Sequence, residues 1–100
     1  MSYHVDWTFS ALNSYYEEIE FIYLKWNQKE VLNFEKLVEK ELERLSKNPT
    51  LGKINFKNNY SIAISKQTTL IYRINDKVKS IELLLFWNNL KNPEDLNKLL

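Results

Sequence analysis

The chain has 100 residues, of which 44% are hydrophobic and 27% are charged, the balance of an ordinary globular protein rather than a disordered one. A chain of this length seldom has enough interior for two cores, so we expect one domain over residues 1–100. Fourteen basic and thirteen acidic residues leave a formal net charge of +1. This balance indicates neither sequence-specific nucleic-acid binding nor attraction to a charged membrane.

The chain contains no cysteine, which excludes disulfides, thiolate nucleophiles and cysteine-ligated zinc and fits a reducing cytoplasm. The first residues carry neither the basic region nor the apolar stretch of a secretory signal. The longest apolar run, residues 83–87, is far shorter than the roughly 20 residues of a membrane-spanning helix. We therefore expect a cytoplasmic protein that has no membrane partner, no metal and no cofactor.

A strand and an amphipathic helix open the chain. Residues 3–7 alternate apolar with polar side chains, which predicts a half-buried strand. Apolar residues then recur every three or four positions behind Ser10, a fair N-cap, and predict a helix whose apolar stripe faces the core. On this reading Glu17, Glu18 and Glu20 face solvent. The predicted core stripe consists of Phe9, Leu12, Tyr16, Ile19, Tyr23 and Trp26.

A second helix is predicted after a tight turn. Asn27 with Glu30 three residues later has the form of a capping box. The helix should end before Asn48, because a residue that precedes proline, here Pro49, is displaced from the helical region. A turn through Gly52 follows. The apolar side of this helix is formed by Val31, Phe34, Val38, Leu42 and Leu45.

Alternating patterns predict three more strands, at residues 60–65, 70–75 and 78–87, joined by short polar turns. The last strand is apolar on both faces in its middle, which is typical of the interior of a sheet. Asn92 and Pro93 then form a favourable helix start. The order β-α-α-β-β-β predicts an α+β fold, with an antiparallel helical hairpin on one face of a mainly antiparallel sheet and a short C-terminal helix. The other face of the sheet should be free.

Three segments of the chain carry a resemblance to a known family. They are YHVDWTFSALNSYYEEIEFI near the start, LERLSKNPTLGK in the middle and TLIYRINDKVKSIELLLFWNNLKNPEDL near the end. In this order they resemble the RelE/ParE superfamily of toxins, and most closely its ParE-like branch. The resemblance implies the toxin of a type II toxin–antitoxin system, neutralised by a cognate antitoxin. Either a homodimer or a hetero-oligomer with the antitoxin is compatible with this interpretation.

The resemblance leaves two modes of action to distinguish. RelE-type relatives cleave messenger RNA on the ribosome, a phosphoryl transfer that needs a base and stabilising cations. Those relatives carry lysines and arginines on the matching strands, whereas this chain has Ser61, Ala63, Ser65 and Thr69 there. We therefore assign no catalytic residue and favour a ParE-like toxin that binds and inhibits DNA gyrase. A RelE-like ribosome-dependent endoribonuclease and an attenuated, non-toxic interaction module are the alternatives.

Two further positions bear on activity. Many relatives place an arginine where this chain has Leu90, so either Lys91 supplies that charge or activity is lost. Lysine lacks the planar, bidentate fork of arginine, and the exchange is not neutral at an anion contact. His4 is the sole histidine, and a lone histidine on a first strand is more often structural than catalytic.

Alternation along the last strand suggests an interaction surface. If Leu83 and Leu85 face the helices, Leu84 and Phe86 face the uncovered side of the sheet, where a monomer would expose an apolar patch. We expect an antitoxin segment to bind there, with Arg73 as a polar contact; the C-terminal tail or a second copy of the chain is an equal alternative. The residues that we assign to target binding are Lys66, Trp87 and Lys91.

Overall fold

The computed structural model describes residues 2–99. The strands are β1 (His4–Trp7), β2 (Lys53–Ile54), β3 (Tyr60–Ala63), β4 (Thr68–Asn75) and β5 (Ser80–Asn88), and the helices are α1 (Phe9–Lys25), α2 (Gln28–Lys47) and α3 (Pro93–Leu99). The strands form one sheet in the order β1-β5-β4-β3-β2. β1 runs parallel to β5, and every other pair is antiparallel. The predicted α+β fold is confirmed, and β2 is an edge strand that the sequence pattern did not predict.

The central position of β5 explains its composition. This strand lies between β1 and β4, so neither of its edges meets solvent along the paired segment. Ile81 and Leu83 are fully buried. A strand with neighbours on both edges and side chains covered on both faces reads as a continuous apolar run, as predicted.

The second helix agrees with its sequence pattern. Asn27 is the N-cap, and its side-chain Oδ1 accepts a hydrogen bond of 3.0 Å from the backbone N–H of Glu30. The helix ends at Lys47, directly before Asn48 and Pro49. The residues that it buries are Val31, Phe34, Val38 and Leu45.

The turn after α2 is held by a buried tyrosine of β4. The Tyr72 hydroxyl donates a 2.7 Å hydrogen bond to the carbonyl of Pro49 and accepts one of 3.0 Å from the backbone N–H of Gly52. Gly52 allows this close approach because a Cβ at its position would lie 2.6 Å from the Ser61 carbonyl oxygen. The Pro49–Gly52 part of the LERLSKNPTLGK segment therefore serves packing against Tyr72 rather than a binding site.

The sequence pattern assigned the wrong side of α1 to the core. Thr8, rather than Ser10, caps the helix through its side chain. The buried residues of α1 are Ala11, Ser14, Glu18 and Ile22, and the Glu18 carboxylate accepts a hydrogen bond from the Thr68 hydroxyl. The predicted core stripe is instead largely exposed, with Phe9 79%, Leu12 42%, Tyr16 59%, Tyr23 54% and Trp26 49% accessible.

The physical reason for the error is that α1 is apolar on more than one side. Small residues, Ala11 and Ser14, let the helix axis lie close to β5, where a row of tyrosines would not fit. Periodicity identifies a helix but does not choose between two apolar sides of it. Ile19 is the exception in the predicted stripe, since it packs against the core from its margin.

A bulge in β5 changes which side chains face the helices. Ile71 pairs with Leu85 but Tyr72 pairs with Leu83, so Leu84 is an extra residue in β5. Such a bulge shifts the alternation by one position. Leu83 and Phe86 therefore both pack in the core under the helices, and the expectation that Phe86 faces the other side of the sheet is wrong.

Aromatic contacts fix Phe86 on the helical side. Its ring centroid lies 5.4 Å from that of Trp7 and 5.3 Å from that of Tyr15. Only 3% of Phe86 is accessible.

Within residues 2–99, no helix has the length and apolar character needed to cross a membrane.

Candidate interaction surface

The face of the sheet opposite the helical hairpin carries a cavity of about 340 Å³. Arg73 of β4 and Leu84 and Leu85 of β5 line it together with Leu99 of α3. Both β5 leucines are half-buried. The expectation of a free face is therefore wrong, because the C-terminal helix brings Leu99 to this cavity.

Arg73 is the charged member of this surface, and it is paired across the sheet. Its Nε donates to Glu82 Oε1 at 3.2 Å, and the two residues are directly opposed in the β4–β5 register. The Arg73 side chain is 51% accessible, so water screens the pair and it contributes little to stability. The exposed guanidinium retains further N–H donors for a partner.

Arg73 and Leu84 thus lie together, as the sequence analysis proposed for antitoxin binding, but Phe86 does not join them. Leu85 takes the place expected for Phe86, because the extra residue Leu84 reverses the alternation of the strand. The replacement of Phe86 by Leu85 on this face is visible only in the pairing of β5 with β4.

The residues assigned to target binding lie around the β3–β4 turn and the end of β5. The Lys91 ammonium is 5.7 Å from the ring centroid of Trp87 and 3.9 Å from Glu17 Oε2. Trp87 is 6% accessible, whereas Leu90 is 68% accessible. Lys91 and Leu90 are therefore available to a partner, and Trp87 acts mainly as a support beneath Lys91.

Asn89 connects this region to the turn that carries Lys66, and the sequence analysis overlooked it. Its side-chain amide donates to the Lys66 carbonyl at 3.1 Å and accepts from the Thr69 hydroxyl at 2.9 Å. Its backbone N–H donates to the Gln67 carbonyl at 2.7 Å. In the sequence, the position of this asparagine directly after an apolar strand was the signal that could have indicated its role. Asn89 holds the Lys66 turn beside the exit of β5.

The positions at which the resemblance implies ribonuclease bases have structural roles in this chain. The Ser65 hydroxyl accepts from the backbone N–H groups of Gln67 and Thr68, at 3.2 Å each, and thereby stabilises the turn. Ala63 lies opposite Thr69 in the β3–β4 pair. None of these side chains supplies a general base or a cation.

The His4 side chain contacts a neighbour on its own strand. Its Nε2 lies 2.8 Å from Asp6 Oδ1, and both side chains are largely exposed on the edge strand β1. This arrangement is that of a surface pair and fits the structural interpretation of the histidine.

Solved structures of several toxins share this fold. A chain of the toxin–antitoxin complex RelBE2 from Mycobacterium tuberculosis has 20% identity and a TM-score of 0.63, over 89% of this chain and 100% of that one. A mutant of the E. coli toxin RelE in the free state has 16% identity and a TM-score of 0.65, with complete coverage of both chains. The YoeB/ParE toxin from Agrobacterium tumefaciens has 17% identity and a TM-score of 0.62, over 86% of this chain and 98% of that one.

These identities establish a common fold and no more. No curated protein sequence matches this chain. A family model does: the one described as the ParE toxin of the type II toxin–antitoxin system parDE matches residues 5–89. That match extends from β1 to the residue after β5 and includes both the helical hairpin and the sheet. The chain therefore belongs to the ParE toxin family and is a toxin of a type II toxin–antitoxin system.

Proposed function

We propose that this toxin acts by binding and inhibiting DNA gyrase, without a chemical step of its own, and that a cognate antitoxin neutralises it. The observation that carries the proposal is the identity of the residues at three positions of β3 and β4. Ser61, Ala63 and Thr69 offer no base for a ribose hydroxyl and no cation for a phosphorane, and messenger RNA cleavage requires both.

The nearby cations support the same interpretation. Arg73 is engaged by Glu82, and Lys91 lies near Glu17. Lys66 is on an exposed turn whose main chain is bound by Asn89. These charges suit contacts with a protein surface, where individual pairs set orientation and association rate.

A parallel assay of the purified toxin tests the target. Supercoiling by DNA gyrase and cleavage of ribosome-bound messenger RNA are measured over the same toxin concentrations. We expect supercoiling to fall with the ratio of toxin to gyrase, as for a binding inhibitor, and messenger RNA to stay intact. Cleavage of messenger RNA with unaffected supercoiling would instead favour the ribonuclease alternative. Activity in neither assay would favour the attenuated module.

For the antitoxin we propose the surface formed by Arg73, Leu84 and Leu85 as a contact region. Half-buried leucines beside an exposed arginine provide the apolar area and the directional donors that protein interfaces favour. Family membership supports the existence of an antitoxin partner. The RelBE2 structure is, by its description, a toxin–antitoxin complex.

Substitutions on this surface test the antitoxin contact. The product of the neighbouring small open reading frame serves as the candidate antitoxin, and its affinity is measured by calorimetry. We expect the double variant Leu84→Glu, Arg73→Ala to weaken binding by about a hundredfold, which corresponds to about 2.7 kcal/mol. Leu32→Glu is the matched control, since Leu32 is an exposed leucine of α2. Equal affinity of the double variant and the control would contradict the assignment.

A further inference from the structure

One side of α1 exposes apolar side chains that lie outside the hydrophobic core. Phe9, Leu12, Tyr16 and Tyr23 are 79%, 42%, 59% and 54% accessible, and we call this row the exposed α1 stripe. Their spacing of three, four and seven residues places them on one side of the helix. At 1.5 Å per residue the stripe is about 21 Å long.

The exposed α1 stripe is additional to the side by which α1 is anchored. The helix is anchored by Ala11, Ser14 and Ile22, all of which are buried, and the Ser14 hydroxyl bonds to β5 at Phe86. Monomeric soluble proteins expose few large aromatic and aliphatic side chains in one continuous row, and such rows mark interaction surfaces. Tyrosine and phenylalanine are also enriched where proteins meet.

The charged residues that α1 itself carries beside this stripe are acidic. Between Phe9 and Leu24 the helix has no lysine or arginine, and Glu20 lies between Tyr16 and Tyr23 along the stripe. Burial is the largest cause that raises the pKa of the Tyr15 hydroxyl, and the nearby carboxylates of Glu35 and Glu39 on α2 raise it further.

Three other nearby lysines are directed elsewhere. Lys25 lies over the rings of Phe21 and Trp26, at 5.5 and 4.7 Å from their centroids. Lys36 and Lys40 line a groove along α2 together with Glu39 and Glu43. Among the described residues, the border of the exposed α1 stripe is therefore apolar and mainly acidic, and Lys91 approaches it from the side of Glu17 and Glu20.

We propose that the exposed α1 stripe docks an amphipathic helix of a partner protein that carries lysines or arginines beside its apolar side. The apolar side of such a helix would cover Leu12, Tyr16 and Tyr23, and its cations would lie opposite Glu20 and Glu35. A helix of about four turns matches the length of the stripe. This mode of recognition is the packing of an amphipathic helix in an apolar groove.

The acidic border selects this occupant over two others. A second copy docked through its own α1 would bring Glu20 against Glu20, or against Glu35, and like charges oppose that contact. An anionic lipid surface meets the same repulsion. The proposal does not depend on the identity of the toxin's target or on the surface around Arg73 and Leu84, which is on the opposite face of the sheet.

The probe is a synthetic helical peptide of leucine and lysine, about 18 residues long, with leucines at spacings of three and four. A matched peptide carries glutamate at each lysine, and a third has the same composition without the spacing. We expect micromolar binding of the first peptide by isotope-labelled toxin, with amide shifts along Phe9–Tyr23. Binding should weaken as salt is raised, and the other two peptides should bind at least about tenfold more weakly.

Two toxin variants localise the effect. Leu12→Asn with Tyr16→Ser removes apolar area from exposed positions and should lower affinity about tenfold or more without changing the circular dichroism spectrum. Glu20→Lys with Glu35→Lys should reverse the preference between the lysine and glutamate peptides. Val78→Asn is the control, because Val78 is 66% accessible and lies in the β4–β5 turn.

Several results would overturn the proposal. Equal binding of all three peptides, or unchanged affinity of the Leu12/Tyr16 variant, would show that the stripe does not select a basic helix. A toxin dimer that becomes monomeric in that variant, by sedimentation, would assign the stripe to a second copy. Stripe-dependent binding to anionic phosphatidylglycerol vesicles would assign it to a lipid surface.

Discussion

The hydroxyl of Ser14 accepts a hydrogen bond of 2.8 Å from the backbone N–H of Phe86, 72 residues away. This bond lies at the bulge of β5, where the extra residue Leu84 interrupts the register with β4. Thr8 makes a matching contact, since its hydroxyl donates to the Leu83 carbonyl at 2.7 Å. The start of α1 therefore satisfies backbone groups on both sides of the bulge, and it fixes which leucines reach the outer face.

Removal of the Ser14 hydroxyl should destabilise the protein. Ser14→Ala leaves the buried N–H of Phe86 without its acceptor, which costs about 1–3 kcal/mol. The greater helix propensity of alanine offsets up to about 0.5 kcal/mol of this loss. Urea unfolding measures the difference. Asn13→Ala, at an exposed position of the same helix, is the control and should be neutral or slightly stabilising; an equal effect of the two changes would contradict the role of the hydroxyl.

Gly52→Ala should also destabilise the fold, for a steric reason. The new Cβ would lie 2.6 Å from the Ser61 carbonyl oxygen and 2.7 Å from the Tyr72 hydroxyl. Relief of these contacts requires movement of β3 or loss of the Tyr72 hydrogen bonds, at a cost of about 1–3 kcal/mol. Thermal unfolding of the variant checks this. Thr50→Ala, two residues earlier and exposed, should leave the midpoint nearly unchanged, and a stable Gly52→Ala variant would refute the steric argument.

Stability should fall at alkaline pH because of two tyrosines. Burial is the main cause that raises the pKa of Tyr72, and burial followed by the Glu35 and Glu39 charges raises the pKa of Tyr15, each from the ordinary value of 10.0. Above pH 10 the unfolded chain loses these protons while the folded chain keeps them. The free energy of unfolding is therefore unaffected well below pH 10 and decreases as the pH rises past it.

Urea unfolding on both sides of pH 10 measures this slope. The double variant Tyr15→Phe, Tyr72→Phe should show a smaller decrease with pH, even though loss of the Tyr72 hydrogen bonds lowers its stability at neutral pH. Thr50→Ala, an exposed change that removes no ionisable group, is the control and should keep the wild-type slope. A slope that is identical in all three proteins would exclude these two groups as the cause.

The charge of Lys91 should matter for gyrase inhibition. Lys91 is 56% accessible and follows the exposed Leu90, which stands at the position where the resemblance implies an arginine. Under the proposed function, Lys91→Ala should raise the toxin concentration that half-inhibits supercoiling by about tenfold, the effect of losing about 1.4 kcal/mol. Lys91→Arg should retain inhibition, and Lys77→Ala, in the β4–β5 turn, should have no effect. Loss of inhibition by the Lys77 variant, or none by Lys91→Ala, would argue against this contact.

Much of the fold could be predicted from local patterns. The Asn27 cap, the Asn48–Pro49 stop and the alternation in β4 are short-range signals, because each depends on the backbone within a few residues. The central position of β5 also follows from its composition, since a strand that is apolar on both faces needs neighbours. The edge strand β2, with two residues, was too short to produce a pattern.

The candidate surface was less predictable, since it depends on contacts between distant residues. Leu84, Leu85 and Arg73 meet only through the β4–β5 register, and the bulge that sends Phe86 inward is closed by Ser14 of another element. Likewise, the side of α1 with Tyr16 and Tyr23 and the side with Ala11 and Ser14 both have regular helical spacing. The sequence pattern therefore did not show which side is buried.

By itself, the sequence determined the order of the elements and the type of each, because helix caps, proline and period-two alternation act locally. It also determined that this chain has Ser61, Ala63, Ser65 and Thr69 where the resemblance implies the basic residues of a ribonuclease. Only the tertiary structure decided the side on which each element is buried. Ala11 and Ser14 permit closer packing on β5 than Tyr16 and Tyr23 would, and one extra residue in a strand reverses every side chain beyond it.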